Sequence, residues 1–302
     1  MNVLRNKPKN VARRHHYVPA FLLQNFTPSG RRDDFLWVHD KQQGEPWRMK
    51  PDEVGFERDY NRVDIPEVDP NAVEGYFAAI DGQIAPVIQE IIRDHELPGG
   101  IRFQHLISFA ALLALRSPSV RNMYKRNMEH LEKERLKLFL SRRELFDQVV
   151  EEQRREGNVI PPEVTYEKLR DYTNQDEAYE IKIPNTRSVG MLLKMWPAVY
   201  RAFKLRQWSL LFTGPDDASL ICSDMPVTIT TTSRKYKARF LGFASRETEL
   251  TIPLSRSTVL VGSYEASATA ARIALERVRE INRRTLSFAE RFIYSPSRGL
   301  LI

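Results

Sequence analysis

The sequence predicts an α+β fold, with a largely helical middle flanked by an N-terminal hairpin and C-terminal antiparallel strands. Three observations carry this expectation. Phe35-Leu36-Trp37-Val38 is aromatic and β-branched, and residues 46–49 form a second short run beyond the turn pair Gln43-Gly44. Val73, Phe77, Ile80, Ile84, Val87, Ile88 and Ile91 recur at the spacing of one helix face. Past Leu205 the composition turns to short strand-forming runs, which places sheet at both ends of the chain.

Taken in order, residues 1–14 carry five Lys or Arg and no acid, and read as a flexible basic arm. Pro19 suits the first turn of a short helix over 19–26, ended by Thr27-Pro28-Ser29-Gly30. The hairpin of 35–38 and 46–49 follows. Asp69 can cap the next helix with Pro70 at its first position, and Pro86 inside the pattern predicts a kink or break. A second long helix runs from Pro98-Gly99-Gly100 to Arg116, where Ser117-Pro118-Ser119 interrupts it. Its stretch 106–115 is nearly all apolar yet too short to span a bilayer, so it reads as a buried helix. A charged helix over 120–156, bending near Ser141, precedes helices near 163–172 and 186–205. Strands are expected at 208–212, 219–222, 227–231, 240–243 and 258–263. A last helix over 266–288 and a short strand at 292–294 complete the chain. Absence of a Pro/Gly/Ser linker favours one intertwined domain over 15–302.

Composition narrows the class. No apolar run reaches the ~18 residues of a membrane helix, and the N-terminus lacks the pattern of a secretory signal. The lone cysteine, Cys222, excludes an intrachain disulfide framework and multi-cysteine zinc sites, so the cytoplasm is the expected compartment. In its apolar strand it reads as a buried, inert thiol. A net charge of +7 favours anionic partners, with ordinary solvated charge as the competing explanation. The spans 121–143 and 272–291 are rich in Lys and Arg; each fits a phosphate-tracking helix or, through pairs such as Glu129–Lys133, a solvated face.

The most distinctive run is His15-His16-Tyr17-Val18-Pro19, continuing Ala20-Phe21-Leu22-Leu23-Gln24-Asn25-Phe26. With Trp37-Val38-His39-Asp40-Lys41, Glu57-Arg58-Asp59-Tyr60, Glu74, Arg116-Ser117-Pro118, Ser223-Asp224-Met225-Pro226-Val227 and Pro253-Leu254-Ser255, it resembles the family catalogued as domain of unknown function 4238. Met225 stands where that family's segment has Asn. The resemblance spans most of the chain and implies kinship without an activity.

Chemically, His15 and His16 precede a helix start, whose positive end disfavours protonation. Adjacent residues of extended chain point to opposite sides, so one of the two faces any given site. Asp40, Glu57 and Asp59 are the carboxylates the hairpin returns nearby. His16, Asp40 and Glu57 form a candidate ligand set for Mg²⁺ or Mn²⁺, and His15 or His16 a candidate base for phosphodiester cleavage. Lys41 or Arg58 would stabilise developing phosphate charge, Asp224 would be a third acid, and Arg116 a phosphate contact or a helix C-cap. Packing and capping roles compete for each of these residues. Walker, dinucleotide-binding and Gly-x-Ser-x-Gly signatures are absent. The expectation is therefore a nucleic-acid-acting protein, as a metal-dependent nuclease of the defence or mobile-element type. Its rivals are a non-catalytic module binding nucleic acid or protein, the latter through the helices of 120–156, and a small-molecule hydrolase using the same acids.

Overall fold

A computed structural model of the chain describes residues 13–214, 218–231, 242–265 and 269–302. Among them eight α-helices and eleven β-strands give the α+β composition the sequence predicts. The chain divides into two compact units: residues up to Arg121 together with those from Val189 onward, and residues 122–188.

In the first unit, β1 (Arg14–His16) leads through Pro19 into α1 (Ala20–Leu23). β2 (Leu36–Asp40) and β3 (Trp47–Met49) form the expected hairpin. β4 (Phe56–Arg58) then returns to pair antiparallel with β1, in the register Arg14–Arg58, His15–Glu57 and His16–Phe56. Of the expected basic arm, residues 1–12 lie outside the described residues. Arg13 and Arg14 are anchored: Arg13 pairs with Asp59 at 2.6 Å and Arg14 opens β1.

Gly55 fixes where the ribbon meets α1. Its carbonyl accepts from the backbone N–H groups of both Tyr17 and Val18, and its φ of +68° is a left-handed conformation that favours glycine. A Cβ there would stand 2.9 Å from the Val18 carbonyl and 2.8 Å from Leu23 Cδ1. The close approach buries Tyr17, Val18, Leu22, Leu23 and Phe26, each contributing roughly 1.5–3 kcal/mol of apolar burial.

α2 (Ala72–Asp94) runs unbroken through Pro86, which lies on its exposed side, where solvent can satisfy the Gly82 carbonyl left without a donor. Asp69 does not cap it; the Asp69 carboxylate accepts from Asn71 N–H and closes the turn before the helix. α3 (Gly100–Leu115) is buried over Leu106, Ile107 and Phe109 to Leu115, as its apolar run demands.

The expected helix over 120–156 is two helices, α4 (Pro118–Phe139) and α5 (Arg143–Arg155), parted close to Ser141. α6 (Tyr166–Thr173) and α7 (Asn185–Lys204) follow. Within the second unit the helical charges pair with one another: Lys133 with Glu129, Lys137 with Glu134 and Asp176, Arg187 with Glu132, and Arg143 with Glu167.

The C-terminal part adds β5 (Gln207–Phe212), β6 (Cys222–Ser223), β7 (Thr228–Thr231), β8 (Thr248–Pro253), β9 (Thr258–Ser263), β10 (Ala270–Arg272), α8 (Leu275–Phe288) and β11 (Phe292–Ser295). Two sheets result. One has the order β10-β5-β9-β8-β7, antiparallel apart from the parallel β10–β5 pair. The other, β3-β2-β11-β6, is antiparallel and joins the two ends of the chain. Three expectations are corrected here. Of the expected strand over 240–243, residues 240 and 241 lie outside the described residues, and Gly242 and Phe243 sit in a turn closed by Ser245. The expected helix over 266–288 starts at Leu275, with 270–272 forming a strand and 266–268 outside the described residues. Strand β8, unforeseen, occupies an interior position of its sheet.

Candidate functional site

The histidine pair divides across the β1–β4 ribbon as the alternation of extended chain requires. His15 points inward and is fully buried; His16, on the other face, is partly exposed and meets the Phe56 ring edge-on at 5.5 Å. Arg14 and Arg58, opposite one another in register, stand on the His16 face and are exposed. The Arg14 guanidinium covers Phe56 at 5.0 Å. The outer face of the ribbon is thus two arginines, an imidazole and a phenyl ring.

The inner face leads into a buried polar chain. His15 Nδ1 accepts from Asn61 N–H at 2.8 Å, which leaves its other nitrogen as the protonated one. The Asn61 amide donates to Glu74 at 2.7 Å and accepts from the Arg121 guanidinium. Arg121 also donates to the Tyr60 carbonyl and lies 3.6 Å from the Tyr60 ring centroid. The Tyr60 hydroxyl donates to the Arg116 carbonyl at 3.0 Å, and Arg116 Nη1 reaches both Asp81 oxygens at 3.2 Å. Both arginines are essentially unexposed, and Arg116 Nε and Nη2 and Arg121 Nε have no hydrogen-bond partner among the described residues. Arg116 therefore does not cap α3 with its side chain: it occupies the C-cap position, but its guanidinium turns inward to Asp81.

The electrostatics follow from burial and from this concentration of cations. Burial, helped by Arg116, Arg32 and Arg14 and opposed by Asp52, lowers the His16 pKa to about 4. α1 has only four residues, so burial and the neighbouring arginines, and not a helix dipole, account for the shift. Burial also lowers Arg121, against the pull of Tyr60 and of the Glu57 and Glu74 carboxylates, and raises Asp81 despite Arg116. A histidine depressed in the folded state stabilises the fold above its unfolded pKa near 6.5 and loses that contribution as pH falls toward 4. Acidifying from pH 7 to 4 is thus expected to cost up to about 3 kcal/mol at this residue. Denaturant titrations of wild type and His16→Gln at pH 7, 5.5 and 4 check this: the variant should show the shallower decline, and parallel declines would rule the effect out. Asp81 and Asp224, both raised, act in the opposite sense in both proteins.

The remaining residues of the sequence reading assemble elsewhere, around the turn from α8 to β11. Asp40 grips Arg291 through both oxygens, the shortest contact 2.8 Å, and Arg291 holds its carboxyl below the usual range. Lys41 Nζ donates to the Ala289 carbonyl at 2.6 Å. Asp224 accepts three backbone N–H groups, from Glu290, Arg291 and Phe292, at 2.7–2.8 Å. Burial nonetheless raises the Asp224 pKa. These three side chains tie a turn to a sheet, and Lys41 is engaged there rather than facing a substrate. Cys222 beside them is buried, its thiol pushed up to about 12.

Among the described residues no three His, Cys, Asp or Glu side chains gather as a metal-binding set. The expected ligands His16, Asp40 and Glu57 are not assembled: Asp40 belongs to Arg291, and Glu57 lies in register with His15 rather than His16. The basic stretch 272–291 also resolves into pairs, with Arg277 and Arg284 both bound to Glu249. Sequence reasoning missed Asn61 and the individual role of Arg121, and it missed Tyr294, whose hydroxyl lies 3.5 Å from that of Tyr17. The Arg-Asn pairing between α4 and the loop after β4 has no local signature.

No helix among the described residues is long and apolar enough to cross a membrane. No curated protein and no solved structure matches the chain. Residues 14–299 do match the model of the family described as Protein of unknown function (DUF4238), so the chain belongs to that family, as its N-terminal motif led one to expect.

Proposed function

We propose that the protein acts on nucleic acid, engaging the phosphate backbone along the outer face of the β1–β4 ribbon. The observation that carries this reading is the register pair Arg14–Arg58. Two like charges set directly opposite on a short exposed ribbon repel one another, and a bound phosphate turns that repulsion into attraction. Among the described residues Arg58 forms an ion pair at 3.7 Å with Asp59, whose carboxylate bonds Arg13 at 2.6 Å. His16, neutral at physiological pH, belongs to the same face, with its Nε2 buried. Since the expected Mg²⁺ or Mn²⁺ ligands do not come together, no metal-assisted step is assigned to them, and engagement rather than metal-dependent cleavage is the function the geometry favours.

Fluorescence anisotropy with labelled single-stranded DNA and RNA oligonucleotides, titrated over salt, tests the reading. Wild type should bind with a salt-dependent affinity. Arg14→Ala/Arg58→Ala should weaken binding by tenfold or more and reduce the slope of log K against log salt by about 1 to 1.5, two single-strand phosphate contacts. Failure of the wild type to bind at low salt, or an unchanged double variant, would remove the proposal. Incubation of the same mixtures with and without Mg²⁺ or Mn²⁺ reads out strand cleavage, and His16→Asn identifies any role of the imidazole in it.

A further inference from the structure

The geometry points to a pocket beside the ribbon that receives a single nucleobase, an inference that rests on the nucleic-acid reading above and gives it a second point of recognition. The pocket, about 210 Å³, is walled by the rings of Tyr17, Trp47, Phe56, Phe292 and Tyr294. Phe56 belongs to the ribbon, Trp47 to β3, and Phe292 and Tyr294 to β11, so the concavity opens next to the face that carries Arg14 and Arg58. Walls of this kind hold flat ligands by stacking, which every base permits because every base has a π-face.

Two features argue for a heteroaromatic ring rather than a purely apolar guest. The first is polar and buried. Tyr17 and Tyr294 are 3% and 1% exposed, and their hydroxyls face each other at 3.5 Å, beyond the ~2.7–2.8 Å of a well-made O–H···O bond. Neither hydroxyl has another hydrogen bond among the described residues. Burial raises both pKa values, so both phenols keep their protons. A base edge brings carbonyl oxygens and ring nitrogens that accept from such donors.

The second feature is the charge around the mouth. Arg14 lies 5.0 Å from the Phe56 centroid and Arg291 4.8 Å from that of Phe292, so two of the wall rings each carry a cation. Arg291 is held in place by Asp40. A base in the pocket would thus have Arg14, and Arg291 with its Asp40 partner, close to the rings that hold it. The one acid of the lining, Glu53, accepts from Lys50 N–H. An aromatic ring bearing acceptors and joined to phosphates is what this combination recognises.

The test compares two fluorescent oligonucleotides of equal length with the full chain, one ordinary and one built from abasic nucleotides. The ordinary strand should bind at least tenfold more tightly. Trp47→Leu should abolish that preference while leaving the salt slope unchanged, and Tyr294→Phe, which removes one hydroxyl and keeps the ring, should reduce it at least threefold even if the tryptophan variant fails to fold. Equal affinity of the two strands for wild type, or a full preference retained in Tyr294→Phe, would overturn the pocket and leave the ribbon standing. Absence of binding to both strands would overturn the ribbon reading and the pocket with it.

Discussion

Asp224→Ala is expected to destabilise the protein by about 3–5 kcal/mol, because it strands three part-buried backbone donors at once. Glu290, Arg291 and Phe292 all direct N–H groups at this carboxylate at 2.7–2.8 Å, and the residue is 2% exposed, so water cannot replace the lost acceptor without opening the turn. The loss should spread beyond the site. Arg291 would lose the backbone anchor that presents its guanidinium to Asp40, and β11 sits between β2 and β6 in its sheet. Asp224→Asn should recover part of the stability, since it retains one acceptor oxygen while turning an amide donor toward N–H groups. Urea unfolding at pH 7, followed by circular dichroism, gives the measurement. A loss below about 1 kcal/mol would mean that Asp224 is not the structural acceptor described here and would return it to the list of candidate acids.

Arg121→Ala is expected to cost about 3–5 kcal/mol as well, for a different reason. The substitution removes the donors that satisfy the Tyr60 carbonyl and the Asn61 side chain, and it leaves a cavity against the Tyr60 ring. Asn61 positions His15, so the change should propagate to the ribbon. Arg121→Met separates the contributions. Methionine refills most of the volume and also removes a buried charge whose desolvation is itself unfavourable, so it should recover about half of the loss. Equal destabilisation by both variants would show that the guanidinium's hydrogen bonds matter more than volume. If neither variant is destabilised, the inward chain from His15 to Arg121 has no structural weight.

The parts of the fold that were legible were those with a long or strong pattern. Seven apolar positions from Val73 to Ile91 announced α2, the run to Leu115 announced a buried helix, and Phe35-Leu36-Trp37-Val38 announced a strand that indeed pairs with Trp47–Met49. The three-residue strands β1 and β4 gave no such signal: they exist because their partner completes them, which no window of one segment can reveal. Strand β10 was hidden by small residues that suit a helix equally well, and it takes its conformation from the parallel contact with β5.

For the site, local geometry was readable and long-range partners were not. Alternation along extended chain already separates His15 from His16. Nothing near Asp40 or Asp224 foretells that Arg291 and its neighbours, some two hundred and fifty and seventy positions on, will claim both carboxylates. Arg116 and Arg121 read as a cap and a solvated cation because arginine is seldom fully buried; here Arg116 lies over the Phe109 ring of α3 and meets the Asp81 carboxylate of α2, and Arg121 lies over the Tyr60 ring and bonds the Tyr60 carbonyl and the Asn61 side chain.

The sheet β3-β2-β11-β6 also bears on how the molecule is made. Its inner strands come from residues 36–40 and 292–295, so during translation the first of them, paired with β3 on one edge, must keep its other edge open until residues 292–295 have left the ribosome. Local helices can form early, but closure of this sheet is a late event of high contact order, and the interval before it leaves an open strand edge to chaperones or to aggregation.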